Sequence, residues 1–553
     1  MKNSLLISCL LLLFCIETFA QGEPAISQVN RYFIYFSDKA GENYPYSLSD
    51  PSEFLTQRAL DRRDKQNISV NESDLPVDPA YIDGLRDAGL EVYFSSRWLN
   101  GALVNADTTL LNDVEMLSYV DSIAWIGDTT RLSFDKSPIE TPTNFSEPPS
   151  VNGDSDIQLG MLGALFMHAE DVKGQGMLIA VLDNGFTGVD KYTPFQHIWE
   201  NDQIIATRDF VENSDNVFQF GSHGTSVFSI IGSKYESENG NFHGIAHEAS
   251  FILCVTEDNK AENRLEEYNW LLGAEFADSL GADVINGSLG YRLFDIPSHN
   301  YDFEDMDGET TIVSKAAKWA AEKGIIVAVS AGNEGNKSWK RITPPADAKG
   351  ILTVGSVNPD FTYSSFSSVG HTADGRIKPD VAAFGSATAV MRGDGSISRG
   401  SGTSFASPLI AGFAACIWQS NPDRTANEIM ASIKNSAHKA NNPDSLFGYG
   451  VPNYLYAKDV RALNISDILQ DKVVFYPNPF NGDTLYLITD GEFKQGMSIK
   501  IMDPKGSLIY KKEFKRREVK ENMELTIDGS QQGVYFLFLQ TGDNQKVVKL
   551  INF

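Results

Sequence analysis

Four polar residues in this chain stand in settings where chemistry is done. Asp183 ends the apolar run MLIAVLD, His223 lies in GSHGTSV, Asn333 in SAGNEG, and Ser404 in GSGTSFASPLIAG. An acid, an imidazole, an amide and a hydroxyl are the parts of a nucleophilic hydrolysis. A serine hydroxyl is a poor nucleophile until a base takes its proton, and His223 is the candidate base. Its place at the start of the helix-like run SVFSIIG disfavours the protonated ring before reaction. Asp183 would hold the other ring nitrogen and stabilise the imidazolium once it forms. Asn333 would donate its side-chain amide hydrogen to a developing oxyanion, with the Ser404 backbone amide as second donor. Gly402, Ala406 and Ser407 are small enough to let a substrate chain approach. Pro408 has no amide hydrogen and cannot bond back to the Ser404 carbonyl. Each residue taken alone also has an ordinary structural reading. Asp183 is then a turn residue, His223 a surface histidine, Asn333 a left-handed turn residue and Ser404 a helix starter.

What must position these groups is legible around them. From about 157 to 460, the short apolar runs MLIAVLD, SFILCVT, ADVING, GIIVAVS and ILTVGSV alternate with helical patterns such as Arg264–Ser279 and Ile312–Lys323. Short apolar runs bounded by turn residues suit parallel strands buried on both faces. The alternation predicts an α/β domain with a doubly wound, mostly parallel sheet. Ligands bind such sheets beyond the carboxyl ends of the strands. Asp183, the turn Asn286–Gly290 and Asn333 all fall there.

The flanking segments differ. Residues 1–20 read as a secretory signal: Lys2, an apolar stretch from Leu5 to Ile16, then a small-residue cleavage site ending at Ala20. Residues 21–130 read as a small α+β domain. Its expected strands are Tyr32–Phe36, Glu91–Phe94, Ala102–Asn105 and Ser122–Ile126; its expected helices are Pro51–Arg63, Pro79–Ala88 and Thr109–Leu117. Residues 131–156, rich in Pro, Ser, Asn and acids, read as an exposed linker with a processing site. Residues 471–553 carry strands at short, regular spacing and predict a C-terminal all-β sandwich. The basic run KKEFKRREVK, 511–520, fits a solvated edge strand.

A formal net charge of −27 argues against general nucleic-acid binding. Beyond the leader, no segment is long and apolar enough to span a membrane, so an exported, soluble protein is expected. Cys254 and Cys416 lie in core-like contexts and are expected to be buried free thiols, with a disulfide between them as the alternative in an oxidising compartment. The acidic stretch YDFEDMDGET, 301–310, offers hard oxygen ligands but lacks the full EF-hand loop pattern. It reads as a solvated acidic loop; structural calcium stays open and no metal ligands are assigned. The chemistry itself requires no cofactor.

VLDNG, SHGTSV, INGSLG, SAGNEG and GTSFASP, in this order, resemble the subtilisin-like serine endopeptidases. The resemblance covers roughly 157–460. It implies Asp183, His223 and Ser404 as a catalytic triad and Asn333 as oxyanion donor. It also implies that Ser288, Leu289 and Gly290 line the substrate cleft and pair with a peptide backbone, with Ala331 and Gly332 as a facing wall. Asn184 departs from the Ser or Thr more usual after the acid. The N-terminal block resembles the family's inhibitory propeptide, which helps folding, caps the cleft and is cut away. The C-terminal block, with VVFYPNPF and the ending KVVKLINF, resembles the sorting domain of type IX secretion substrates in Bacteroidetes-type bacteria. The partners implied are protein or peptide substrates, the chain's own propeptide and outer-membrane secretion machinery, with a location outside the cell or on its surface. A catalytically silent binding protein on the same fold, and a serine esterase, are the rival readings. An esterase would carry G-x-S-x-G with acid and histidine after the serine; here both precede Ser404.

Overall fold

The computed structural model describes residues 30–39, 44–128, 141–237 and 240–458, and, further on, 474–476, 484–488, 496–503, 507–518, 522–527, 533–541 and 544–552. The leader, residues 131–140 of the linker and residues 477–480 of the motif VVFYPNPF lie outside these residues.

The apolar runs of the central region form one seven-stranded sheet. Its strands are β5 (Leu178–Asp183), β6 (Ile204–Asp209), β7 (Ser250–Val255), β8 (Val284–Gly287), β9 (Ile326–Ser330), β10 (Leu352–Val357) and β11 (Val381–Phe384). In space the order is β11-β10-β9-β8-β5-β7-β6, and all six pairings are parallel. β5, β8, β9, β10 and β11 are buried at every residue, which is why they read as unbroken apolar runs rather than alternating ones. Two cores flank the sheet. One contains the helices α3 (His223–Gly232) and α6 (Thr403–Ser420); the other contains α4 (Leu265–Leu280) and α5 (Ile312–Glu322). α6 is apolar around most of its circumference and is buried almost throughout.

The N-terminal block is a four-stranded antiparallel sheet, order β2-β3-β1-β4, of β1 (Asn30–Phe36), β2 (Glu91–Ser96), β3 (Gly101–Ala106) and β4 (Val120–Asp128). One face packs on helix α2 (Pro79–Asp87). The other meets α4, with Phe33, Tyr93, Leu103 and Ile126 against Leu265 and Tyr268. The single helix expected over Pro51–Arg63 is two pieces: a 3-10 turn at Pro51–Glu53, then α1 (Gln57–Lys65). Thr56 breaks it. Its extended backbone caps α1 through the Ala59 amide, while its own amide and hydroxyl both donate to the Ser279 carbonyl at 2.9 Å. The expected helix Thr109–Leu117 shortens to a 3-10 turn and Leu111–Glu115.

A charged network fastens the N-terminal block to α4. Asp278, fully buried, accepts from Arg62 at 2.5 Å, Arg63 at 2.8 Å and Arg97 at 2.8 Å. Arg63 also reaches Asp74 at 2.9 Å, and Asp74 takes Lys323 at 2.6 Å. Glu275 accepts from the Ser96 hydroxyl and from the amides of Arg97 and Trp98.

The C-terminal strands form a three-stranded and a four-stranded antiparallel sheet. Leu485, Leu487 and Leu525 of one meet Ile499, Ile501 and Leu537 of the other in a shared core, as a sandwich requires. Lys511–Phe514 lie on the edge strand Leu508–Phe514, with both lysines exposed, as the basic run predicted. Cys254 and Cys416 are free and fully buried. In the 301–310 loop, Asp307 accepts the amides of Glu309 and Thr310, and Glu309 pairs with Lys318 and Lys349. Among the described residues no cluster of three or more His, Cys, Asp or Glu has the geometry to hold a metal ion.

Candidate active site

β5 delivers Asp183, fully buried, at its carboxyl end. The His223 Nδ1–H donates to its Oδ1 at 2.7 Å, and the Asn184 amide donates to the same oxygen at 2.8 Å. His223 opens α3, with its side chain 32 % exposed. Two glycines let the acid and the histidine come together. A Cβ on Gly185 would fall 1.7 Å from the Phe220 carbonyl oxygen, and one on Gly221 would fall 1.9 Å from that of Asn184. Both take positive φ, +133° and +71°.

The helix start does not govern the ring. Burial works against a charged imidazole, but the Asp183 carboxylate outweighs it and holds the His223 pKa above the ordinary histidine value. This reverses the expectation from the helix N-terminus alone, because a full charge in contact exceeds a partial one. Asn184, a departure on sequence, has a clear structural task. Ser222 makes no side-chain cap, and Asn184 Oδ1 accepts the amides of His223 at 3.0 Å and Gly224 at 3.3 Å in its place. The sequence signal was an amide residue directly after the acid, but its target lies 39 residues on.

Ser404 sits in the first turn of α6, after the capping position, which Gly402 occupies. Its hydroxyl donates to the Ser288 carbonyl at 3.0 Å, and the Ser288 hydroxyl donates to the Ser404 carbonyl at 3.0 Å. Pro408 leaves that carbonyl free to accept, so the missing amide is answered by Ser288, the residue after β8. Asn286 steadies Ser288: its Nδ2 donates to Ser288 Oγ at 3.1 Å, while its Oδ1 accepts from Ser407 at 2.9 Å. The hydroxyl of Ser404 therefore rests on Ser288 rather than on His223. The His223 ring lies 6.0 Å from the ring of Phe405, the residue after Ser404. Catalytic hydrogen bonds of unliganded sites are commonly long and tighten only with substrate.

Asn333 follows β9. Its Oδ1 accepts the Thr403 amide at 2.9 Å and the Thr403 hydroxyl at 3.1 Å. Only the oxygen can accept from an amide hydrogen, so the Nδ2 donors are turned away from Thr403. The Gly332 amide donates to the Thr403 hydroxyl at 3.2 Å, a second tie between the β9 loop and α6. Ser288 is buried, Leu289 half-buried and Gly290 exposed. Leu289 and Gly290 share a pocket wall with His223. Ala331 is fully buried and Gly332 half-buried, so any wall they form is backbone.

A model of the subtilase family matches residues 174–450. The chain belongs to the subtilase family. A Bacteroidota peptidase S8 propeptide domain matches 31–141, and a secretion system C-terminal sorting domain matches 474–552. Serine protease AprX of Bacillus subtilis is 30% identical over 313 residues, 52% of this chain and 67% of that protein. Subtilisin NAT of Bacillus subtilis subsp. natto is 29% identical over 298 residues, 53% of this chain and 69% of the other. A subtilisin of Bacillus pumilus is 28% identical over 282 residues, 50% and 90%. This subtilase is a serine-type peptidase with its own propeptide and a sorting domain, and hence a secreted or cell-surface protein of the Bacteroidota type. Among the described residues no helix is long and apolar enough to cross a membrane.

Proposed function

We propose that this subtilase cleaves protein and peptide chains through Asp183, His223 and Ser404, with Asn333 as oxyanion donor. His223 takes the Ser404 hydroxyl proton as Oγ bonds to the scissile carbonyl carbon. Asn333 Nδ2 and the Ser404 amide receive the negative oxygen. His223 then passes the proton to the leaving nitrogen as the C–N bond breaks, and an acyl-enzyme remains. Water repeats the sequence and frees the enzyme. Ser288–Gly290 pair with the substrate backbone, opposite Ala331 and Gly332. Residues 1–20 are the leader, 21–130 the propeptide and 157–460 the catalytic domain; the cut falls within 131–156. Residues 471–553 direct passage through the outer-membrane type IX machinery.

The His223–Asp183 hydrogen bond of 2.7 Å is the observation that carries this reading. The test compares residues 21–553 with the Ser404→Ala and Asn333→Ala variants, by casein hydrolysis and fluorophosphonate labelling. Ser404→Ala should abolish labelling and lower turnover about 10⁶-fold, the loss known for removing the nucleophile of subtilisin itself. Asn333→Ala should keep labelling and lose about 10²- to 10³-fold, again the subtilisin magnitude. Equal activity in parent and Ser404→Ala would refute the assignment.

A further inference from the structure

A pocket of about 490 Å³ opens between His223, the Ser288–Gly290 segment and the loop before α4. Five carboxyl groups line it: Glu257, Asp258, Glu262, Glu266 and Asp295. Lys260 is the one lysine or arginine in the lining; it is exposed, and among the described residues its amine forms no ion pair. Glu266 is 2 % exposed. Its Oε1 accepts the Asp258 amide at 3.0 Å, but its Oε2, shut off from solvent, has no hydrogen-bond partner. A buried carboxylate oxygen without a donor is costly, and such groups are normally paired.

We infer that this pocket is a specificity subsite for a basic side chain, Lys or Arg, of the peptide substrate, with the carboxyl of Glu266, which lines it, as the acceptor once its unpaired oxygen turns toward the cation. The inference rests on the proposed peptidase reading and adds the class of side chain to it. The pocket is of the size that holds a small ligand, and it adjoins the segment assigned to the substrate backbone. Metal is a poorer occupant, since no three of these groups converge as ligands. Burial, and then the charges of Glu257 and Glu262, push Glu266 up to about 10; burial, with the charges of Asp183 and Glu262 added, pushes Glu257 up to about 8. The empty pocket therefore keeps Glu266 and Glu257 protonated; an arriving ammonium or guanidinium supplies the missing counter-charge and lets them ionise.

The experiment uses the secreted, processed enzyme and a positional-scanning library of peptides. Each position within four residues of the cut is varied among Lys, Arg, the isosteric neutral norleucine, and Glu. At one position, kcat/KM should favour Lys over norleucine by about tenfold or more, and Glu should be the poorest. In Glu266→Gln that Lys/norleucine ratio should fall to near one; the ratio cancels any general loss of activity. Glu266→Asp should keep a ratio above that of Glu266→Gln. Fluorophosphonate labelling of each variant shows that its serine site is assembled. Equal rates for Lys and norleucine at every position, or a ratio unchanged by Glu266→Gln in a labelled enzyme, would overturn the subsite. Absence of labelling and of all peptide cleavage in the parent would instead overturn the peptidase mechanism beneath it.

Discussion

The two ends of α4 carry the same chemistry in opposite company. Near its C-terminal end, Asp278 is fully buried and surrounded by Arg62, Arg63 and Arg97 of the propeptide. At its first turn, Glu266 is almost as buried and meets one backbone amide. Burial alone would raise both carboxyls. The three guanidiniums reverse that effect at Asp278 and hold it below the ordinary aspartate value, while Glu266 is left neutral. A buried acid is thus a fastener when its cations come with it, and a vacancy for a cation when they do not.

The sharpest way to break this contrast is Asp278→Asn in the inactive Ser404→Ala full chain. Three arginines lose their shared acceptor, and uncompensated buried charge costs about 3–5 kcal/mol. Urea unfolding should show the precursor destabilised by that amount. A change within about 0.5 kcal/mol, the scale of an ordinary surface substitution, would mean the network is idle.

Glu266→Gln should act the other way. A raised folded pKa gives stability that is whole below the unfolded value near 4.3 and lost as pH rises toward about 10. Removing the titration should therefore stabilise the protein at pH 8 and leave it unchanged at pH 4. For Asp278 the sign is opposite: its contribution is whole above the unfolded aspartate value and disappears as acid protonates it. Melting temperatures of parent and both variants from pH 3 to 9 should diverge in these two directions, and parallel curves would refute the contrast.

The smallest effect belongs to Glu275→Gln. An amide oxygen still accepts from Ser96 and Trp98, but the amide nitrogen cannot accept from the Arg97 backbone, so one bond is lost, worth about 1 kcal/mol by the same urea measurement. A loss as large as that of Asp278→Asn would show that the fastening is shared along the helix rather than centred on one residue.

Much of the central domain was readable because its signals are local. Runs such as LIAVLD and IVAVS are apolar at nearly every position, which only a doubly covered strand requires. The motifs around Asp183, His223, Asn333 and Ser404 lie at strand ends and helix starts, as their small neighbours indicated. What the sequence hid depends on distant partners. The break at Thr56 is made by a carbonyl 223 residues away, and periodicity within Pro51–Arg63 cannot report it. The pairing of Ser288 with Ser404 joins residues 116 apart. The acidic pocket takes four of its five carboxyls from 257–266, a stretch that also carries Lys260 and Arg264, and only the fold brings Asp295 and the Ser288–Gly290 segment to them. For the histidine the sequence offers two opposed influences, the helix start and Asp183, and only the 2.7 Å contact decides between them.

The two thiols are sealed in the core, and burial pushes both far above the ordinary cysteine range. Alkylating agents attack thiolates. Iodoacetamide and reductants should therefore pass this enzyme by, while phosphonylating reagents stop it. In a crude culture supernatant, that inhibitor profile separates its activity from any cysteine peptidase before a single column is run.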